Sequence, residues 1–406
     1  MRLTLGQAAE VRLGRQRSPE HEVGEHPAQY LRSANVLDGQ LDLVDVKTMN
    51  FSPAEREIFA LKDEDVLVTE GSGSIDTVGT SAVWRQDLPG VVCFQNTLLR
   101  LRPRTGITTG PYLAWWARHA RLSGQIAAIS SGANIKHLGS DGLKRLAINV
   151  PSLEDQRRIA DFLDDHVARI DKIINARRIQ QVNVRALWMS KVDEQIRDSA
   201  PSQRLAWSLS LSAVGVVVNP STYFRDEGVP FVHGYNVRDG YLDLRDLKRM
   251  SLEDSIGLSR SRLREGDVLV VRAGYPGRAA VVGADLAGGN CASVLLLRPE
   301  PRLASHWLAA FFNSPLGKAA VERVQYGAAQ GVINLSDVLA MSIPVPSIDE
   351  QHRRLVHIRM TEEAMRAGNE AMERQVAALV QYKQSLITAA VAGELDVTTA
   401  GSGIPG

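Results

Sequence analysis

No apolar run in this 406-residue chain approaches the ~18 residues that suggest a membrane span. The opening Met1-Arg2-Leu3-Thr4-Leu5-Gly6-Gln7 has no apolar signal core, so the sequence reads as cytoplasmic. Cysteine is scarce: Cys93 and Cys291 form no CxxC pair, which excludes a disulfide framework and a cysteine-rich zinc site. A charge excess of either sign is missing too, with 47 Lys and Arg against 46 Asp and Glu. Global charge therefore nominates no nucleic-acid or membrane partner, and any such partner must be argued from local arrangement. The nine histidines show no HExxH and no metal-ligand spacing, so no metal site is expected. What is present is ordinary for folded protein, 44% hydrophobic and 23% charged, in a chain longer than one core usually serves.

The chain repeats itself. Residues 30–49 laid over 231–250 give ten identities in twenty without a gap, among them Asn35/Asn236, Val36/Val237, Asp38/Asp239 and Gly39/Gly240. Further landmarks follow in the same order. Asp65-Val66-Leu67-Val68 answers Asp267-Val268-Leu269-Val270, and Leu101-Arg102-Pro103 answers Leu297-Arg298-Pro299. Pro151-Ser152-Leu153-Glu154-Asp155-Gln156 answers Pro346-Ser347-Ile348-Asp349-Glu350-Gln351. This is a tandem duplication of a unit of about 200 residues, not a solenoid.

Each copy has two parts. Residues 1–150 and 200–345 alternate short apolar segments with Gly, Pro and Asp, the pattern of small α+β domains. Asp38-Gly39 and Asp239-Gly240 read as tight hairpin turns; Val66–Val68, Leu98–Leu101, Val268–Val271 and Val294–Leu297 read as buried strands. Pro111–Leu122 and Leu303–Gln325 read as helical, the second broken at Ser314-Pro315. Residues 151–199 and 346–396 are each expected to be one long helix, opened by a capping box of Ser152 with Asp155 and of Ser347 with Glu350. Ile358, Met365, Met372, Leu379 and Leu386 recur by sevens, while Ile159, Leu163, Val167, Ile170, Ile174 and Leu187 make a less regular stripe. A helix of ~45 residues would span ~65 Å and must bury its stripe on something. The obvious partner is the other long helix, antiparallel, with a globular domain at each end. Residues 397–406 read as a flexible tail.

Catalytic motifs are absent. Gly71-Ser72-Gly73 has Asp76 where a third glycine would complete a cofactor loop, and Asn219-Pro220 continues as Ser221-Thr222-Tyr223. Gly317-Lys318-Ala319 lacks both the leading glycine and the hydroxyl of a P-loop. A standalone metal-dependent nuclease could use Asp45-Val46-Lys47 or Asp246-Leu247-Lys248, with Asp38 or Asp239 as second acid. The same residues also suit an exposed strand edge. Two related domains held apart by a rod suit a linear target with two separated elements, chiefly a nucleic acid.

Taken together, the duplicated Asn-Val-x-Asp-Gly element, the Asp-Val-Leu-Val strand with its Gly-containing loop, and the two Pro-Ser-x-x-[Asp/Glu]-Gln helix starts resemble the specificity subunits of type I restriction-modification systems. The ending Gln384-Ser385-Leu386-Ile387-Thr388-Ala389-Ala390-Val391-Ala392-Gly393-Glu394-Leu395-Asp396 is similar to that family's. Asp155 stands where the family usually has Glu, and Leu187–Arg197 matches more loosely. The resemblance implies a non-catalytic subunit with no cofactor of its own, whose two globular parts are target recognition domains for the halves of a bipartite double-stranded DNA sequence. It implies a coiled coil that sets their spacing and docks two methyltransferase (modification) subunits, with restriction/translocase subunits in the full complex.

Base reading needs polar side chains that reach a groove, on a backbone that can approach closely. The loops after the Asp-Val-Leu-Val strands nominate Glu70, Ser72, Gly73 and Ser74 in copy one, and Arg272, Gly274, Tyr275 and Arg278 in copy two. A second loop pair offers Asn134, Lys136 and His137, and Gln330. Arg32, His233 and Tyr235 lie beside the repeated Asn35 and Asn236, which themselves read as structural turn residues. Any one loop residue could equally belong to a plain Gly-rich turn. Trp188, Met189 and Tyr382, expected to be exposed on the helices, are candidates for partner contact.

Overall fold

A computed structural model describes all residues except 18–22, 73–76, 133–135, 198–199, 328–330 and 398–406; at 72 and 136 it describes the backbone alone. The expected tail at 397–406 thus lies almost wholly outside the described residues. The class is α+β. The chain divides into two units, Met1–Arg177 with Arg374–Gly406, and Arg178–Glu373. Each takes a part of both long helices, which run Leu153–Arg197 and Ile348–Ala392, 45 residues apiece.

In the first unit the buried Val66–Thr69 sits inside a four-stranded antiparallel sheet, in the order Ala9–Leu13, Leu98–Pro103, Val66–Thr69, Ser81–Val83. A second sheet orders Lys47–Asn50, Pro27–Leu31 and Val92–Phe94, the last two parallel. The second unit repeats both. One sheet runs Leu209–Val214, Val294–Pro299, Val268–Val271, Ala279–Val281; the other Lys248–Met250, Val229–His233, Asn290–Ala292. The expected strands are therefore the sheet centres, and apolar Val and Leu there are wholly buried. One ion pair is duplicated beneath each sheet: Arg102 grips the fully buried Asp65 at 2.7 and 2.8 Å, and Arg298 grips Asp267 at the same distances.

The repeated Asn-Val-x-Asp-Gly element is a turn held by its asparagine. Asn35 Oδ1 accepts the Arg32 amide and its Nδ2 donates to the Asp42 carbonyl; Asn236 does the same with His233 and Asp243. Gly39 and Gly240 take φ of +88° and +89°, the left-handed conformation this hairpin requires of its second residue. The expected break in the second helical segment falls at Ser314, which caps Pro315–Val324 by accepting the Gly317 amide at 3.1 Å.

The starts of the long helices show half of a capping box. Ser152 Oγ accepts the Asp155 amide and Ser347 Oγ accepts the Glu350 amide, at 3.1 and 3.3 Å. The return bonds to the cap backbone are not made among the described residues. The shorter Asp155 stops at the Ser152 hydroxyl, 2.6 Å away, and Glu350 is drawn off by Arg353 and Arg354. The glutamine that follows has the larger role. Gln156, fully buried, accepts from the Thr109 amide and donates to the carbonyls of Ile107 and Pro151. Gln351 does the same with Ala304, Arg302 and Pro346, so each helix start is clamped to its own sheet-and-helix layer.

Within each unit the helix segments pack antiparallel. In the first, Leu163, Val167, Ile170 and Ile174 share a core with Leu386, Ile387, Ala390 and Val391, and Lys383 pairs with Asp171 at 2.6 Å. In the second, Val192 and Ile196 share a core with Leu355 and Ile358, and Arg354 Nη1 donates to the Gln195 carbonyl at 2.8 Å. The stripe expected through Leu187 is corrected: Leu187 is 63% exposed, and Val192 and Ile196 carry the seam. Trp188 and Met189 are half-buried rather than exposed, Trp188 because it packs against the second unit's core; Tyr382 is exposed at 39%.

Candidate nucleic-acid interface

In the first unit three nominated segments meet where Val66–Thr69 ends. The Thr97 carbonyl accepts the Glu70 amide at 2.9 Å, and its hydroxyl accepts the Ser33 amide at 3.0 Å, tying the Arg32 turn to the loop. Gly71–Ser72 then pairs with Lys136–His137 as a short antiparallel ladder. The Glu70 carboxylate lies 3.1 Å from His137 Nδ1, so these two candidates neutralise each other when the imidazole is protonated. Arg32 spans to Asp45 at 2.5 Å, and Lys47 reaches the same carboxylate at 2.7 Å. Lys47 and Arg32 hold Asp45 below the usual carboxylate range. Gly73, Ser74 and Asn134 lie outside the described residues, as do the side chains of Ser72 and Lys136.

The second unit joins its loops at the equivalent strand end. Arg272 exchanges backbone contact with Ile333, whose amide donates to the Arg272 carbonyl at 3.0 Å, and Ala273 bridges Val332. Gly274 is left-handed at φ +85°. Gly277, at +88°, abuts Val321, whose side chain would lie 2.9 Å from an added Cβ. These constraints push Tyr275 outward, 65% exposed, with the Arg278 guanidinium 4.0 Å from its ring centre. A cation stacked on an exposed ring presents both a π-face and positive charge. Gln330 lies outside the described residues.

His233 departs from the surface placement expected of it. It is buried, 5% exposed, packed among Phe224 and Phe231, with Nδ1 3.1 Å from the Phe231 carbonyl. Burial lowers its pKa, which keeps the ring neutral. Tyr235 lies over it in a stacked geometry at 5.2 Å and stays 48% exposed, so His233 backs the presented ring. Phe224, with Lys248 5.9 Å from its ring centre, joins this group and was missed in the sequence. The signal was there, an aromatic pair Tyr223-Phe224 among Arg225 and Lys248 that no copy-one residue answers.

The acids of the nuclease reading are dispersed. Asp45 is engaged by Arg32 and Lys47, whereas Asp38 is engaged by Arg118 at 3.2 Å and Arg121 at 2.9 Å. Asp239 faces Arg278 at 3.6 Å and both Arg185 and Lys318 at 3.8 Å. Each carboxylate thus serves its own cations, and among the described residues no three His, Cys, Asp or Glu side chains gather. The arrangement gives that reading no support.

Residues 28–184 match the type I restriction modification DNA specificity domain. The chain is 26% identical over 395 residues to the EcoKI specificity subunit of Escherichia coli K12, covering 90% of this chain and 82% of that one. It is 25% identical over 400 residues to the StySPI specificity subunit of Salmonella potsdam, with the same coverage. Over most of its length the chain is thus similar to type I specificity subunits. The fold agrees with solved structures along nearly the whole chain. A structure described as the basis of complex assembly and conformational transition of the type I R-M system superposes with a TM-score of 0.76 at 18% identity, covering 97% of this chain and 98% of that one. The HsdS subunit of Thermoanaerobacter tengcongensis gives 0.54 at 18% identity, covering 97% of each.

Proposed function

We propose that this chain is the non-catalytic DNA sequence-specificity subunit of a cytoplasmic type I restriction-modification complex. Residues 1–150 and 200–345 are two target recognition domains, each reading one half of a bipartite double-stranded target. The helices at 151–199 and 346–396 set the spacing and dock two modification subunits, which bring the methylation chemistry; restriction/translocase subunits complete the assembly. The observation that carries this reading is a duplicated framework with unlike loops. Both units end the same buried strand in a tied loop pair, yet one offers Glu70 with His137 and the other Tyr275 with Arg278. A common scaffold with different side chains at one place is what two different half-sites require. Methylome sequencing of cells with and without the gene tests it: a gapped, bipartite methylated motif disappears on deletion. An unchanged methylome in cells shown to express the modification subunits overturns the reading.

A further inference from the structure

The second unit encloses a cleft of about 520 Å³ between the helix Ser305–Asn313, the Asp239-Gly240 turn and the neighbouring segments of the two long helices. Its walls can be compared with the first unit residue by residue. The clamps Gln156 and Gln351 are equivalent, as are the bonds from Tyr112 Oη to the Asn149 carbonyl and from Trp307 Nε1 to the Pro344 carbonyl. In that register Trp115 corresponds to Ala310, Arg118 to Asn313, and Asp164 to Arg359.

In the first unit this place is filled. Trp115 is buried, donates its indole N–H to Asp164 at 2.9 Å, and carries the Arg118 guanidinium 4.4 Å from its ring centre. In the second unit Ala310 removes the ring and Arg359 replaces the acceptor with a cation. Asn313 turns away to bond both backbone groups of Ala279. Two buried polar atoms have no hydrogen-bond partner among the described residues at this one place, the donor Trp188 Nε1 and the acceptor Asn369 Oδ1. Unmatched buried polar groups are costly, and a bound group that supplies partners relieves them.

We propose that the cleft receives an aromatic side chain with an adjacent carboxylate, carried by a partner protein that docks on the second unit. The ring takes the space vacated by the indole, against Trp188, Met189 and Ala310. The carboxylate faces Arg359, whose sign is opposite to that of Asp164. A protein segment is favoured because the apolar floor is rimmed by charges of both signs, including Arg366 and Glu370, the make-up of a protein interface. The identity of the partner as a modification subunit rests on the function proposed above; the chemistry of the cleft does not.

Two measurements on the full chain decide it. In saturation-transfer NMR, N-acetyltryptophan should bind the wild type more tightly than its amide. Affinity for the acid should drop about tenfold or more in Ala310→Trp, which refills the space, and fall to that of the amide in Arg359→Gln. Thermal unfolding checks that both variants are folded. In native mass spectrometry with the modification subunit, Ala310→Trp should lose at least one bound subunit relative to wild type. Equal probe binding by wild type and Ala310→Trp, or undiminished recruitment by that variant, overturns the proposal. So does a small molecule that co-purifies with wild type and not with Ala310→Trp. If the wild type recruits no modification subunit, that partner and the complex reading fall together, while the probe result still settles the cleft.

Discussion

Gln351 shows how one side chain ties a helix to its domain. Its amide makes three hydrogen bonds while wholly buried, to Ala304, Arg302 and Pro346. Removing it leaves a donor and two acceptors buried without partners, so Gln351→Ala should lower unfolding free energy by about 2–4 kcal/mol in chemical denaturation. Gln156→Ala should behave alike in the first unit, and a loss under about 0.5 kcal/mol in either would deny the clamp. A histidine in the second unit adds a pH dependence. Burial, and to a lesser degree Lys248, hold His233 below its ordinary 6.5, although the Phe231 carbonyl opposes them. The unfolded chain therefore takes up a proton first as pH falls, and stability present above about 6.5 declines toward the lower folded value. His119 and His306, also lowered by burial, act in the same direction. The denaturation midpoint should fall between about pH 7.5 and 5.5, and His233→Phe should reduce that fall. An equal fall in the variant would assign the effect to the other histidines.

Elements were legible where a period or a duplicated motif marked them. The heptad positions from Ile358 to Leu386 all lie on the covered face, and the two Asp-Gly steps are the hairpin turns expected of them. Elsewhere the pattern misled. Trp188 lies off the stripe read through Leu187 and so looks exposed, yet it packs against a core built mostly by residues far away in the chain. Likewise His233 reads as a surface residue, yet its strand neighbour Phe231 and Phe224, from the turn before that strand, pack against it. The two loops of each copy could be nominated separately, but their pairing, as in the ladder of Gly71–Ser72 with Lys136–His137, is a tertiary fact without a local signal. Under the proposed function, that pairing makes the loop pair the unit of recognition. Tyr275→Ala, which removes the ring that holds the Arg278 guanidinium in place for a groove contact, should weaken DNA binding by about 1–3 kcal/mol. In competition assays with single-half substitutions, the loss should fall on one half-site only. Equal loss on both halves would make Tyr275 a general contact.

At the scale of the whole chain, two helices of equal length in a duplicated sequence have a consequence for the gap in the proposed target. Both helices pass from one unit into the other, at Arg177 with Arg178 and at Glu373 with Arg374. A coiled-coil seam keeps its winding through an insertion when the insertion preserves the seven-residue repeat and is matched in the facing helix, whereas three or four added residues change the winding locally. One heptad added to both helices at these points lengthens each by about 10 Å, roughly three base pairs of B-form DNA. If the helices measure the gap, the methylated motif should keep both half-sites and gain about three base pairs between them, read by methylome sequencing. A heptad in one helix alone breaks the match and should abolish methylation without altering either half-site. An unchanged gap after the paired insertion would mean that the spacing is set by the bound partners rather than by this chain.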